Sequence, residues 1–319
     1  MVNQFWTTCL FLGVSHGVMA QTTPSAGGQV QQLPAVPRLP PAAAQVQVQS
    51  GTTSPSPALG GATFVIKRLN ITGNSAYPVS ELLRIAGFEA GRTINLQVLN
   101  GMADKITAHY RQAGFLVARA YLPAQEVKDG VVTMAVLEGQ YGQVQLNNTS
   151  TLKSALPLTL LSGLNPGDAI LLAPLEERLL LLSDVPGVNV RSTLVPGASV
   201  GLSDLLVEVK PGDFITGSVD ADNAGNRYTG ENRIGATLYL NNPTSSGDLI
   251  TLRGLTSGAG LNYGRVAYQF PLGRGRLGVA YSDLAYALGH EFKALDANGH
   301  ARITTVFGGY PLILSLIHI

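Results

Sequence analysis

The chain has 319 residues, a formal net charge of +1 and 13% charged residues. Nucleic-acid-binding proteins usually carry a clear basic excess, so the near-zero charge argues against a nucleic-acid partner. The mean hydropathy is +0.19, yet no uninterrupted apolar run reaches the roughly 18–20 residues that a membrane helix needs. The length allows two or three domains, and the hydropathy indicates either a large buried core or alternating apolar strands.

The first twenty residues have the features of a secretory signal peptide. An apolar stretch from Phe5 to Val14 leads to Val18 and Ala20, which stand where signal peptidase reads small residues, so we expect export and cleavage after Ala20. The alternative is a buried N-terminal strand. The only cysteine, Cys9, lies in this segment. The mature chain would therefore have no thiol nucleophile, disulfide or zinc–cysteine site.

Residues 21–61 are rich in Pro, Gln, Ala, Ser and Thr. A segment of this composition buries too little apolar surface to offset the entropy that is lost on ordering. The composition therefore predicts a disordered or polyproline-like linker, and no convincing helical period is present in it.

Residues 62–212 contain two weakly similar copies of one unit. A strand-like run ends in Leu69-Asn70 in the first copy and in Leu146-Asn147 in the second. Matching positions lie roughly 76 residues apart, which is typical of duplicated units. In each copy two helical stretches and two strands follow, so the predicted order is β-α-α-β-β. We predict one domain over 62–139 and a second over 140–212.

From residue 213 to 319 the helical period gives way to alternation. Val266, Tyr268 and Phe270 share one face of a predicted strand, with smaller or polar residues between them. Alternating segments of about ten residues separated by turns are typical of a transmembrane β-barrel; a soluble β-sandwich is the alternative. About six strands can be counted, fewer than the eight of the smallest barrels, so we expect an N-terminal part of a longer protein.

The stretch DADNAGNRYTGE, from Asp220 to Glu231, has the register of a calcium loop of the EF-hand type. Such a loop needs helices on both sides, whereas the flanking segments here read as strands, and Ala224 offers no ligand at the fifth position. A hairpin tip is therefore the preferred interpretation. No combination of residues in the chain indicates catalysis, a cofactor or a metal ion, and we expect no enzyme.

Several motifs, in order and spacing, resemble the outer-membrane transporters of two-partner secretion, the haemolysin secretion/activation family. The resemblance runs from about residue 62 to 312. The motifs are GFLVARAYLPAQ with DGVVTMAVLEG, LLLLSDVPGV with VPGASVGLSDLLVEV, and DNAGNRYTG.

The resemblance implies two periplasmic polypeptide-transport-associated (POTRA) domains followed by a 16-stranded barrel in the outer membrane of a Gram-negative bacterium. The expected partners are outer-membrane lipid and a secreted exoprotein of haemolysin or adhesin type with an N-terminal secretion domain, exported without ATP. The sequence departs from the family in two features. Residues 21–61 show no convincing helical period where the family usually carries a helix that plugs the barrel, which leaves the existence of that helix open. The arginine-bearing lumen loop would lie downstream of Ile319.

The partner is expected to bind by β-augmentation, in which an extended segment adds a strand to an exposed sheet edge. The second strand of each unit is the preferred edge, and the nearest residues are Arg119, Tyr121, Val190 and Arg191. The N–H of Ala120 would contribute if it faces outward. The alternative is that these are ordinary sheet positions, with Arg119 either solvated or in a structural ion pair.

Two other functions remain open at the level of sequence. The chain could be an assembly factor of the same superfamily, although such proteins usually carry more POTRA units, or a soluble periplasmic β-rich binding module.

Overall fold

The structure, a computed structural model, describes residues 26–31, 33–34, 45–48 and 63–312. The predicted signal peptide and its cleavage site, and the residues after 312, lie outside these ranges. The described ranges contain a 3-10 helix (His290–Leu295) and five α-helices: α1 (Ala26–Gln31), α2 (Val79–Ala86), α3 (Leu96–Gln112), α4 (Ala155–Leu161) and α5 (Leu172–Ser183). None of these helices is long and apolar enough to cross a membrane.

The strands fall into an N-terminal strand, two small units and a final sheet. The N-terminal strand is β1 (Gln45–Val48). The first unit contains β2 (Phe64–Ile66), β3 (Arg68–Thr72), β4 (Arg92–Ile94), β5 (Arg119–Tyr121) and β6 (Val131–Leu137). The second contains β7 (Gln140–Asn148), β8 (Val188–Pro196) and β9 (Leu202–Pro211). The final sheet contains β10 (Ile215–Asp222), β11 (Arg233–Asn241), β12 (Leu249–Thr256), β13 (Leu261–Leu272), β14 (Gly275–Ala287) and β15 (Asn298–Gly309).

The first unit is a three-stranded sheet covered by two helices. Its strand order is β3-β6-β5, with β3 parallel and β5 antiparallel to β6. Alternate residues of β6 (Val132, Met134, Val136) are buried against α2 and α3, as the period of two requires. Asn95 accepts a hydrogen bond from the Val98 N–H and so caps α3. The unit also has a feature that the sequence did not predict, the small antiparallel sheet β2–β4.

The second unit repeats this arrangement with its own core. β7 is parallel and β8 antiparallel to the central strand β9, so the order β7-β9-β8 matches β3-β6-β5. Leu175, Leu179 and Leu182 of α5 pack against Leu205 and Val207 of β9 in one buried cluster. The predicted β-α-α-β-β order therefore holds in this unit.

β10 to β15 form one antiparallel sheet in which each strand pairs with its neighbours in the chain. One face is apolar and exposed: Val219 is 75% exposed, Ile234 56% and Val266 50%. The other face is polar at its centre and buried. We call these the outer and the inner face.

Two arginine–aspartate pairs lie on the inner face. Arg253, whose side chain is 1% exposed, makes a bidentate contact with Asp220, with both N–O distances at 3.0 Å, and donates to Thr237. Arg233 contacts Asp222 at 2.7 Å. The stretch from Asp220 to Glu231 is therefore the tip of the β10–β11 hairpin, as predicted, and its first two carboxylates are bound by arginines.

The N-terminal segment differs from its prediction. Residues 21–61 were expected to form a linker without regular structure, but the described part of this segment contains α1 and β1. Val30 and Leu33 pack against Leu255, Leu261 and Leu284 on the inner face of the six-stranded sheet. The sequence left open whether this segment contains a helix, and the structure has a short one, α1. A six-residue helix is too short to show a period, and its packing partners lie more than 200 residues away in the chain.

The second unit rests on one end of the six-stranded sheet. Lys153 donates its main-chain N–H to Ser245 C=O at 2.9 Å, and Asn242 contacts Thr151, both in the β11–β12 turn. The β13–β14 hairpin adds ion pairs from its two arginines to α5 and the residue after it: Arg274–Glu177 and Arg276–Asp184. These contacts place the second unit at the end opposite to the β10–β11 tip.

A buried carboxylate connects the loop before α2 to the rest of the first unit. Glu138 accepts hydrogen bonds from the Ser75 and Ala76 N–H groups, at 2.7 and 2.8 Å, from the Ser75 hydroxyl and from Tyr110. Burial acts to raise the pKa of Glu138, but these hydrogen bonds outweigh it and the pKa lies below the usual value. The carboxylate is therefore held ionised.

We expect residues 63–212 to fold without the final sheet, because each unit has its own core. Glu138→Gln in this fragment should lower the free energy of unfolding by about 1–3 kcal/mol, because two acceptor sites are lost in a buried place. Because the folded pKa is depressed, the contribution of Glu138 is complete above the unfolded pKa of about 4.3 and is lost as the pH falls through the folded pKa.

Urea unfolding at several pH values measures both effects. The difference in stability between wild type and Glu138→Gln should shrink on acidification. A difference that stays constant from neutral pH down to pH 3 would contradict the role given to the ionised carboxylate.

Candidate polypeptide-binding edges

The edge strand of the first unit is β5, which carries Arg119 and Tyr121. Both residues lie in the strand that the sequence analysis favoured, and Arg119 is exposed. The ladder with β6 joins Arg119 to Leu137 and Tyr121 to Ala135, and Ala120 between them points its N–H away from β6. That N–H donates to the Thr107 hydroxyl of α3 at 2.9 Å. The expected donor faces outward but already has a partner.

The rest of that edge is closed by a side chain. β5 ends at Tyr121, and Pro123, which has no N–H, follows it. The Gln125 amide then takes the place of a strand: its oxygen accepts from the Thr133 N–H at 2.8 Å, and its nitrogen donates to the Thr133 C=O at 2.6 Å. A proline at Ala120 should therefore disturb the unit itself, because it removes the hydrogen bond to Thr107.

The edge of the second unit is β8, and another strand lies on it. β1 pairs with β8 in parallel, with Gln45 opposite Arg191 and Val48 opposite Leu194. The segment is part of the same chain but lies outside the second unit. The sheet of the second unit therefore accepts an extended polypeptide segment at the strand that carries Val190 and Arg191.

The direction of the main-chain groups of β8 follows from the ends of its ladder with β9. Gly212 N–H donates to Gly187 C=O at 2.9 Å, and Gly197 N–H donates to Leu202 C=O at 3.0 Å. Hydrogen-bonded pairs alternate along an antiparallel ladder, so the odd-numbered residues of β8 bond to β9. The main-chain groups of three residues point towards β1: Val190, Ser192 and Leu194.

Charge contributes little beside this edge. Arg191 lies opposite Glu208, which makes a 2.9 Å ion pair with Lys210. Both members of that pair are more than one-third exposed, and such pairs contribute about 0–1 kcal/mol. The pairing of β1 with β8 therefore depends on main-chain hydrogen bonds rather than on the charge of Arg191.

β1 was not predicted from the sequence. The stretch QVQV alternates polar and apolar residues, which is the signal of a strand. Four residues inside a Pro- and Gln-rich segment are too few to separate this signal from composition. Its partner strand lies about 146 residues further along the chain.

Two stretches of the chain match known families. Residues 64–139 match the model of the POTRA domain, ShlB-type, and residues 201–306 match the haemolysin secretion/activation protein ShlB/FhaC/HecB. Both stretches belong to the haemolysin secretion/activation family. The resemblance seen in the sequence is confirmed, and so is the fold class: α+β POTRA structure followed by the antiparallel start of a β-barrel.

The matches to curated relatives span most of this chain but less than half of each relative. The heme/hemopexin transporter protein HuxB of Haemophilus influenzae (strain 86-028NP) is 34% identical over 244 residues, which are 75% of this chain and 43% of HuxB. The outer membrane transporter CdiB of Escherichia coli O6:K15:H31 is 26% identical over 211 residues, 64% of this chain and 35% of CdiB. The chain thus spans less than half the length of these relatives.

Solved structures share the fold. CdiB from Escherichia coli superposes with a TM-score of 0.58 at 22% identity, covering 79% of this chain and 47% of the CdiB chain. CdiB from Acinetobacter baumannii gives a TM-score of 0.53 at 17% identity, covering 86% and 55%.

Removing β1 should expose the β8 edge of this family member. We expect replacement of residues 45–48 by Gly-Ser-Gly-Ser to lower the dissociation constant of an added peptide about tenfold. The peptide is labelled and capped, and its ten residues alternate threonine and valine. Binding tightens because the peptide no longer competes with the tethered β1 for the β8 edge. Fluorescence anisotropy of the purified protein measures this. In that background Val190→Pro should abolish the gain and Val190→Ala should keep it. Equal binding by both would contradict main-chain recognition.

Proposed function

We propose that this chain forms the periplasmic part and the first barrel strands of an outer-membrane transporter, which captures an unfolded exoprotein and exports it through the barrel. The first unit is the family's POTRA domain. We take the second unit to be a second POTRA domain, because its sheet has the same order and directions of strands. Both units would lie in the periplasm of a Gram-negative bacterium.

The observation that carries this proposal is β1 on the edge of β8. An extended segment is bound there through main-chain groups, which is how a receptor can bind an unfolded chain without reading its side chains. Arg191 and Val190 lie beside this segment. Arg119 and Tyr121 lie on an edge that Thr107 and Gln125 close. The second unit is therefore the one that would bind the exoprotein.

The six-stranded sheet has the pattern of a barrel wall. Exposed valine and isoleucine side chains cover its outer face, whereas arginine–aspartate pairs lie on the inner face. Transmembrane barrels have this arrangement, with lipid outside and a polar interior. A soluble sandwich would bury its apolar face instead.

The second unit contacts the end of the six-stranded sheet at which an exported segment would enter the barrel. Its contacts with the β11–β12 turn and the β13–β14 hairpin join the receiving domain to the periplasmic end of the sheet. In addition, α1 lies on the inner face and β1 on the receiving edge. One N-terminal segment thus occupies both the receptor edge and the interior, and export requires it to leave them.

Lysine substitutions at two depths of one strand test the membrane assignment. Val266 lies in the middle of β13 and Leu272 at its periplasmic end, both on the outer face. Val266→Lys should cost about 2–4 kcal/mol in a bilayer and Leu272→Lys about 0–1 kcal/mol. Outer-membrane levels and the shift on unheated electrophoresis gels would report this difference. Two variants that behave alike would indicate a soluble sheet.

Deleting the gene tests the function itself. A large exoprotein should disappear from the culture medium and return when the gene is restored, while the levels of other outer-membrane proteins stay unchanged. Proteomics of the medium and of the outer-membrane fraction measures both. A general loss of barrel proteins with no missing exoprotein would instead support an assembly factor.

A further inference from the structure

The outer edge of β7 has no paired strand in the part of the chain that the structure describes. β7 is the last strand of its sheet, at the opposite side from β1. Thr149 N–H donates to Val209 C=O at 2.9 Å, and bonding residues alternate along a parallel ladder, so Gln145 and Asn147 bond to β9. The N–H and C=O groups of Val144 and Leu146 therefore point away from the sheet. No residue in the described ranges pairs with them.

From Val144 onward, and within the described residues, this edge has none of the usual protections. Sheet edges are normally guarded by lysine, proline, bulges or a covering segment. The register shift of β7 lies between Tyr141 and Val144, at the end where Gly167 and Asp168 already bond to Tyr141. From Val144 onward the strand is regular. Its solvent-facing side chains are uncharged: Gln143, Gln145 and Asn147.

The C-terminal end of β7 points towards the six-stranded sheet. The chain leaves β7 at Asn148 and reaches Thr151 and Lys153, which contact Asn242 and Ser245 in the periplasmic β11–β12 turn. A segment paired alongside β7 would therefore end beside the entrance of the barrel.

We propose that the edge of β7 from Val144 to Asn148 is a second strand-accepting site, which holds an extended, uncharged segment of the exported protein and leads it to the barrel. This inference rests on the proposed export function. The occupant is an extended segment because the same sheet already binds one at its other edge through β1. The uncharged side chains of β7 suit a segment without charges, since they offer no partner for an ion pair.

Disulfide trapping tests the site in the complete transporter. In a Cys9→Ala background, Gln145→Cys places one thiol on the solvent face of β7. The probes are capped ten-residue peptides of alternating threonine and valine, each with a single cysteine, equilibrated with the protein in a thiol–disulfide buffer. Cysteines that replace threonine should be trapped at least about fivefold more than those that replace valine, because alternate side chains of a strand face opposite sides.

A matched pair of variants separates main-chain pairing from packing. Leu146→Pro removes an outward N–H, and Leu146→Ala removes a similar amount of the side chain but keeps the N–H. We expect the proline variant to lose trapping at Gln145→Cys and the alanine variant to retain it. Equal trapping of cysteines at threonine and valine positions, or undiminished trapping in the Leu146→Pro variant, overturns the proposal.

A second reporter makes the possible failures distinguishable. Arg191→Cys, in protein without residues 45–48, reports on the β8 edge. Trapping at β8 without trapping at β7 overturns the β7 site and leaves the proposed function intact. No trapping at either edge overturns both. Disulfide-linked dimers through Gln145→Cys that exclude the peptides would show that a second copy of this chain covers β7, which also overturns the proposal.

Discussion

Main-chain N–H and C=O groups at the edge of a sheet need partners, and this requirement governs the periplasmic half of the molecule. Leaving such groups unpaired away from water costs as much as a lost hydrogen bond. The chain meets the requirement in three ways. The Ala120 N–H donates to the Thr107 hydroxyl, the Thr133 N–H donates to the Gln125 side-chain amide, and β8 pairs with the strand β1. Each solution decides whether another polypeptide can pair there.

The two units show that one topology supports different roles. Their sheets have the same order and directions, yet the three-residue β5 is sealed by α3 and Gln125, whereas the nine-residue β8 is long enough to bind β1. A side-chain seal is local and permanent in the folded unit. β1 lies at the edge of its sheet, so its departure would leave the β7-β9 and β8-β9 ladders of the second unit intact. Reversible occupation is what a receptor requires.

The final sheet has apolar side chains on its exposed face and charged pairs on its buried face, the reverse of the arrangement in a water-soluble sheet. Burying a charge is costly unless it is paired and hydrogen-bonded, and Arg253 meets both conditions through Asp220 and Thr237. The exposed valines of the outer face suit contact with lipid hydrocarbon. The contacts of the second unit with the β11–β12 turn and the β13–β14 hairpin join the β8 edge to one end of this sheet.

The alternation of β6, β7 and β13, the duplicated unit and the hairpin tip at Asp220–Glu231 were all predictable from the sequence, because each depends on side-chain period or on turn chemistry among near neighbours. The motifs that carry the family resemblance were readable for the same reason. The placement of α1 and β1 and the partner of the Ala120 N–H were not. They depend on main-chain groups and on contacts between residues far apart in the chain, and main-chain groups are the same at every position. Only the tertiary structure could decide which of the edges are sealed, which is occupied and which remains open, because that depends on which segments the fold brings together.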